Sequence, residues 1–82
     1  MELAPGGFAG RHTHPGEEVG YMLEGDFELL IDGQPALVIK PGESFFIPAG
    51  VTHNGHNRGA APVKFISTYI VEKGVPLTTP VP

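Results

Sequence analysis

Four side chains in this chain of 82 residues have the types and spacing to hold a metal ion: His12, His14, Glu18 and His53. Side chains alternate across a strand, so within Arg11-His12-Thr13-His14 both imidazoles point to one face while Arg11 and Thr13 point to the other. Beyond Pro15-Gly16, Glu18 opens the next strand, and a carboxylate there could reach back across the turn to the space in front of the two rings. His53, which follows the turn Pro48-Ala49-Gly50, would be the fourth ligand. A single histidine in a β protein is more often a hydrogen-bonded core or surface residue than a ligand. A His-x-His pair with an acid close by is a different case, because such groups repel or are costly to bury when charged unless a cation compensates. A divalent metal is the simplest compensation.

Three imidazoles and one carboxylate make a borderline-hard site that suits one divalent transition metal ion, Mn, Fe, Co, Ni, Cu or Zn, and affinity order does not choose among these. Four protein ligands on an ion that accepts six leave two positions, enough for a chelating substrate or for a substrate and dioxygen side by side. His56 lies on the opposite strand face from His53 and reads as a surface residue. Glu17 should face away from the site, and Asn57 reads as fixing a turn or strand end by hydrogen bonding rather than as a ligand.

The same alternation nominates a pocket. Phe8 and Gly10 share the face of His12, Gly20 and Met22 share that of Glu18, and with Lys64 left in solvent Phe65, Ser67 and Tyr69 turn inward. One of Phe45 and Phe46 must join them, and alternation alone does not say which; Phe46 is grouped here with Phe8, Met22, Phe65 and Tyr69 as the substrate pocket. Ordinary core packing explains each of these residues singly as well as ligand contact does. A mostly apolar pocket with a metal at its base favours a small organic molecule, aromatic, dicarbonyl or enolisable, over a large polyanion.

The elements that must position these groups are strands. Twelve Gly and nine Pro cut the chain into pieces too short for stable helices, and no segment carries apolar residues at helical spacing through a dozen positions. Strands are expected over 8–14, 18–24, 27–31, 36–39, 44–47, 53–57 and 63–71. Glu24-Gly25-Asp26 and Asp32-Gly33 carry the Gly that tight hairpins require, and Lys40-Pro41-Gly42-Glu43 and Pro48-Ala49-Gly50 are further turns. Many short strands joined in this way suggest an all-β barrel or sandwich. Residues 1–71 are read as one domain, and 72–82 as a tail with too many prolines to form a ladder, packed on the barrel, on a neighbouring subunit, or disordered.

Size and charge narrow the function classes. A domain this small buries only about 60% of the surface its unfolded chain exposes, so stabilisation by a metal or partner is expected. The absence of cysteine removes disulfides, thiolate zinc sites and thiol nucleophiles together. The formal charge is -4, and the five basic residues are scattered singly, which disfavours a nucleic-acid partner. No apolar run reaches the roughly 20 residues of a membrane helix, and no signal peptide is visible at Met1. The expectation is a soluble protein, cytoplasmic by default and exported if a signal precedes the sequence.

Two stretches resemble the motifs of a known family. Gly6 to Gly25 reads as Gly, five residues, His12-Thr13-His14, three residues, Glu18, six residues, Gly25, similar to the first cupin motif. Gly42 to Asn57 reads as Gly, five residues, Pro48-Ala49-Gly50, two residues, His53, three residues, Asn57, similar to the second. Agreement at Gly and Pro is cheap in this composition, whereas three of four histidines falling on the three ligand positions is not. The resemblance implies a small jelly-roll barrel with a metal at its mouth and usually a homodimer. Many members have further strands before the first motif, which makes strand exchange between subunits a reasonable expectation. The expected function is that of a metal-binding cupin, acting as an enzyme on a small organic molecule with dioxygenase-like chemistry. The alternative is a non-catalytic binding or sensing protein. Epimerase and isomerase activities lose ground because no second acid or base is identifiable, and a regulator's role because no helix-turn-helix pattern is present.

Overall fold

A computed structural model describes residues 2–82. Among these described residues nine strands form: β1 (Glu2–Leu3), β2 (His12–Thr13), β3 (Glu17–Glu24), β4 (Phe27–Ile31), β5 (Leu37–Ile39), β6 (Ser44–Ile47), β7 (His53–Asn57), β8 (Val63–Ile70) and β9 (Thr79–Pro80). Among the described residues there is no helix, and so none long and apolar enough to cross a membrane. The strands make two antiparallel sheets, ordered β1-β8-β3-β6 and β5-β4-β7-β2-β9. Their inward faces enclose a core of Met22, Phe27, Leu29, Ile47, Val63 and Phe65, with further apolar residues around them. The all-β jelly-roll expectation is met.

Local chemistry explains most boundaries. Gly25 joins β3 to β4 at a φ of 102°, and a Cβ there would meet Val63 at 2.7 Å, so the tight turn and the close packing both require glycine. Alternation governs β3, β6 and β8, where Met22, Phe45, Ile47 and Phe65 are buried while their neighbours face out. Asn57 closes β7 in the role expected of it. Fully buried, its Nδ2 donates to the Leu3 and Ala61 carbonyls at 3.0 and 2.8 Å, and its Oδ1 accepts from the Gly59 N–H at 2.9 Å.

Two strand expectations need correction. The run expected over 8–14 is reduced to His12–Thr13, because Gly10 adopts a φ of 97° and breaks the extended backbone; Phe8 keeps only an isolated bridge to His56. The proline-rich tail does form a ladder. Thr79 pairs with Thr13 and Pro80 with His12, at the outer edge of the sheet, where a residue without an N–H is tolerated. β1, pairing with the start of β8, was not expected either.

Candidate metal centre

The four nominated side chains meet between the two sheets. His12 and His53 are register partners on β2 and β7, His14 follows β2 directly, and Glu18 comes from β3 in the facing sheet. The carboxylate therefore approaches across the barrel rather than across a hairpin. The His14 Nε2 lies 3.1 Å from the His12 Nε2 and 3.2 Å from Glu18 Oε1, and His53 Nε2 lies 3.3 Å from the same oxygen. One nitrogen from each of the three imidazoles falls within 4.8 Å of the others, a group that could hold a metal ion. His14, Glu18 and His53 are buried, and His12 is half-buried.

The ring orientations have a common cause. The Nδ1 of His12 faces the Gly10 carbonyl at 2.5 Å, that of His53 faces the Val51 carbonyl at 2.9 Å, and that of His14 faces the Leu77 carbonyl at 2.7 Å. A carbonyl oxygen only accepts, so each Nδ1 must carry the proton and each neutral ring turns the lone pair of Nε2 inward. Three lone pairs and a carboxylate oxygen then converge on one another. Although 3.3 Å apart, His53 Nε2 and Glu18 Oε1 are not aligned for a hydrogen bond, and both are buried without any hydrogen-bond partner among the described residues. Such a cluster is unfavourable unless a proton or a cation occupies its centre, and a nitrogen-and-oxygen donor set suits a transition metal. The residues fit the group.

Without a cation the cluster redistributes charge. Burial lowers the His53 pKa, but the Glu18 carboxylate and the Val51 carbonyl outweigh it and hold the ring above its ordinary value. Burial raises that of Glu18, yet His53 and the Ser67 hydroxyl, which donates to Glu18 Oε2 at 2.7 Å, bring it below the usual carboxylate value. His12 is lowered by burial and by the neighbouring imidazoles, against the pull of the Gly10 carbonyl. Burial and the Glu18 charge push the Tyr69 phenol up, so it stays protonated.

A cavity of about 230 Å³ opens over these groups, its apolar wall formed by Phe27, Phe45, Ile47 and Phe65. Of the five aromatic and sulfur side chains expected there, Phe65 and Tyr69 line it. Met22 is fully buried in the core without reaching the cavity. Phe46 is corrected: the β6 alternation turns it outward, 57% exposed, and puts Phe45 in its place. Gly20 makes room for that ring, since a Cβ there would sit 2.0 Å from it. Phe8 is corrected as well. It lies beyond the backbone reversal at Gly10, is 57% exposed, and stacks on His56 with ring centroids 4.1 Å apart. His56 is half-buried and its Nδ1 meets Glu28 at 2.9 Å, so it is less a bare surface residue than expected.

Several lining residues escaped the sequence: Ala9, Phe27, Leu29 and Ile47 on the strands and their approaches, and four polar or tail residues. Arg11, assigned to the far face, reaches the cavity because β2 is too short to enforce alternation, and it is tied there to Asp32 at 2.5 Å. Asn54 lines the cavity one position after His53, and Thr78 and Pro80 enter from the tail, for which no sequence signal exists.

Comparison with known proteins places this geometry among relatives. A family model described as "Cupin domain" matches residues 1–69. A germin-like protein of Arabidopsis thaliana, subfamily 2 member 2, is 39% identical over 74 residues, covering 84% of this chain and 34% of that protein. An acireductone dioxygenase of Rhodopseudomonas palustris is 36% identical over 62 residues, covering 72% of this chain and 38% of that protein. The chain thus spans little more than a third of the length of either. Among solved structures, an oxalate oxidase in complex with the substrate analogue glycolate superposes with a TM-score of 0.75 at 30% identity, covering 80% of this chain and 37% of the other.

Proposed function

The chain belongs to the cupin domain family, and from that premise we propose that His12, His14, His53 and Glu18 hold one divalent transition metal ion and that the cavity above them binds a small organic molecule for dioxygenase-like chemistry. The observation that carries the reading is the buried pair Glu18 Oε1 and His53 Nε2, each without a hydrogen-bond partner among the described residues and each facing the other ring lone pairs. A bound ion would supply Lewis acidity toward an oxygen atom of the substrate. The chain's own side chains do the rest. Ser67 aims the carboxylate, Phe45, Ile47 and Phe65 keep water from the base of the cavity, and the small volume restricts ligands to a few heavy atoms beside the site. Oxalate and its analogue glycolate, named for the oxalate oxidase relative, are small, which agrees with that size.

A second reading, a binding or sensing protein without catalysis, has an observation in its favour. Beyond the four nominated ligands the cavity lining offers, among the described residues, only Tyr69 and Arg11 as titratable groups; the first stays protonated and the second is held by Asp32. Oxygen uptake by the Fe-loaded protein against dicarbonyls, catechols and small hydroxy acids separates the two. Turnover of any one supports the enzyme, and saturable binding without uptake supports the sensor.

The reading includes a homodimer. On the outward face of the β1-β8-β3-β6 sheet, Val19, Tyr21, Leu23, Phe46, Ile66 and Ile70 are exposed side by side, with Glu17 and Lys64 at the ends. An apolar patch with a charged rim suits a second copy of the same surface. Sedimentation of the wild-type chain against Phe46→Glu tests it: loss of a dimer in the variant is expected, and a wild-type monomer at micromolar concentration would contradict it.

A further inference from the structure

The three inward-facing imidazoles are each oriented by a main-chain carbonyl at Nδ1, but the carbonyls come from very different distances along the chain. Gly10 and Val51 lie two residues before the rings they serve, so the local backbone provides them. Leu77 lies 63 residues beyond His14 and reaches it only because the tail folds back over the barrel. Beyond that bond and the Thr78 hydroxyl, 3.5 Å from the same His14 Nδ1, a short pairing and two hydrogen bonds hold the tail. β9 pairs two residues with β2, one of them a proline, the Val81 N–H donates to the Arg11 carbonyl at 2.9 Å, and the Arg11 guanidinium donates to the Pro82 carbonyl. Residues 72–80 are exposed throughout, yet Thr78 and Pro80 form part of the cavity wall.

We infer that residues 77–81 are a strap that sets the His14 tautomer through the Leu77 carbonyl and closes one side of the cavity, so that ordering of the strap and loading of the metal are a single coupled equilibrium. An imidazole freed from its Nδ1 acceptor can place its proton on Nε2, where it opposes a cation instead of offering a lone pair. Loss of an outer hydrogen bond of this kind typically weakens metal binding about 10- to 100-fold. Coupling is reciprocal: an ion that prefers the strapped form must also favour the strap's closed position. The tautomer step stands on hydrogen-bond geometry alone. Only the affinity step rests on the proposal that these side chains hold a metal.

Nitrogen-15 NMR of histidine-labelled, metal-free protein at pH 8 tests the first step. In the full chain all three rings should carry the proton on Nδ1; removing residues 77–82 should release His14 into a tautomer mixture while His12 and His53 keep theirs. Unchanged His14 signals after removal would overturn the proposal. Should all three rings change together, the shortened chain has lost its fold and the intact chain decides. There, saturating Zn(II) should slow amide exchange at Val81 at least about 10-fold, the counterpart of the affinity change, and exchange indifferent to Zn(II) would overturn the coupling. A folded shortened chain should bind Zn(II) about 10- to 100-fold more weakly, and one that binds it as tightly as the full chain would overturn the coupling. A full chain that binds no Zn(II) defeats the metal reading, while the tautomer measurement still decides what the strap does.

Discussion

Glu18 Oε1 and His53 Nε2 stand 3.3 Å apart in the interior of the barrel, and neither has a hydrogen-bond partner among the described residues. Buried polar atoms in folded proteins are almost always paired, and an unpaired one costs about 1–3 kcal/mol. Two of them facing each other mark the place where a proton or a metal completes the structure.

The choice between proton and metal gives a pH signature. In the metal-free protein His53 titrates above its ordinary value of 6.5, because the opposing carboxylate outweighs burial, so its contribution to stability is full below pH 6.5 and is lost as pH rises through the folded value. Glu18 titrates below its ordinary value of 4.5, so its contribution is present above pH 4.5 and is lost as pH falls through the folded value. His12 is shifted down and acts against His53 near neutrality, but it is the more exposed of the two and does not contact the carboxylate directly. Chelated protein should therefore melt highest between pH 4.5 and 6.5. Metal needs deprotonated rings, so the melting difference between Zn-loaded and chelated protein should widen as pH rises from 5 to 8. Parallel melting curves at all pH values would refute this.

Ser67→Ala removes the hydroxyl that donates to Glu18 Oε2 at 2.7 Å. The carboxylate keeps its charge but loses the partner that aims its second oxygen at the three rings. Metal affinity, measured by competition with a chromophoric chelator, should fall about 10- to 100-fold with stoichiometry unchanged. Wild-type affinity in the variant would show that the hydroxyl does not orient the site.

Asn57→Ala tests stability apart from the metal. The side chain is fully buried and satisfies two carbonyls and one N–H, tying β7 to the end of β1 and to the loop before β8. Leaving those groups unpaired should cost on the order of 2–4 kcal/mol in denaturant unfolding. The folded fraction should retain the wild-type metal stoichiometry, because none of the four nominated ligands contacts this side chain; loss of metal in folded variant would contradict the division.

The site was more legible in the sequence than its surroundings. His12, His14, Glu18 and His53 could be grouped because strand alternation and the two motif spacings pointed to the same residues, and the hairpins because Gly25 and Gly33 stand where tight turns need them. Phe8 and Phe46 were misplaced for local reasons. Alternation does not carry through the reversal at Gly10, and two adjacent phenylalanines on one strand give no periodic signal to say which faces in. β9 was invisible because Pro80 is disfavoured in strands, and two residues make a strand only by pairing with one already in place. Leu77 contributes a carbonyl to the site, a group that every residue carries and no sequence can advertise.

The most direct test of the central claim is elemental analysis of the untagged protein, purified without added metal and then titrated with Zn(II) or Co(II) after chelation, beside His53→Ala and Glu18→Ala. The wild type should carry or take up one equivalent of a divalent transition metal, and each variant should lose that binding while remaining folded at pH 6. A folded wild-type chain that takes up no metal at micromolar concentration, or variants that bind as well as the wild type, would contradict it.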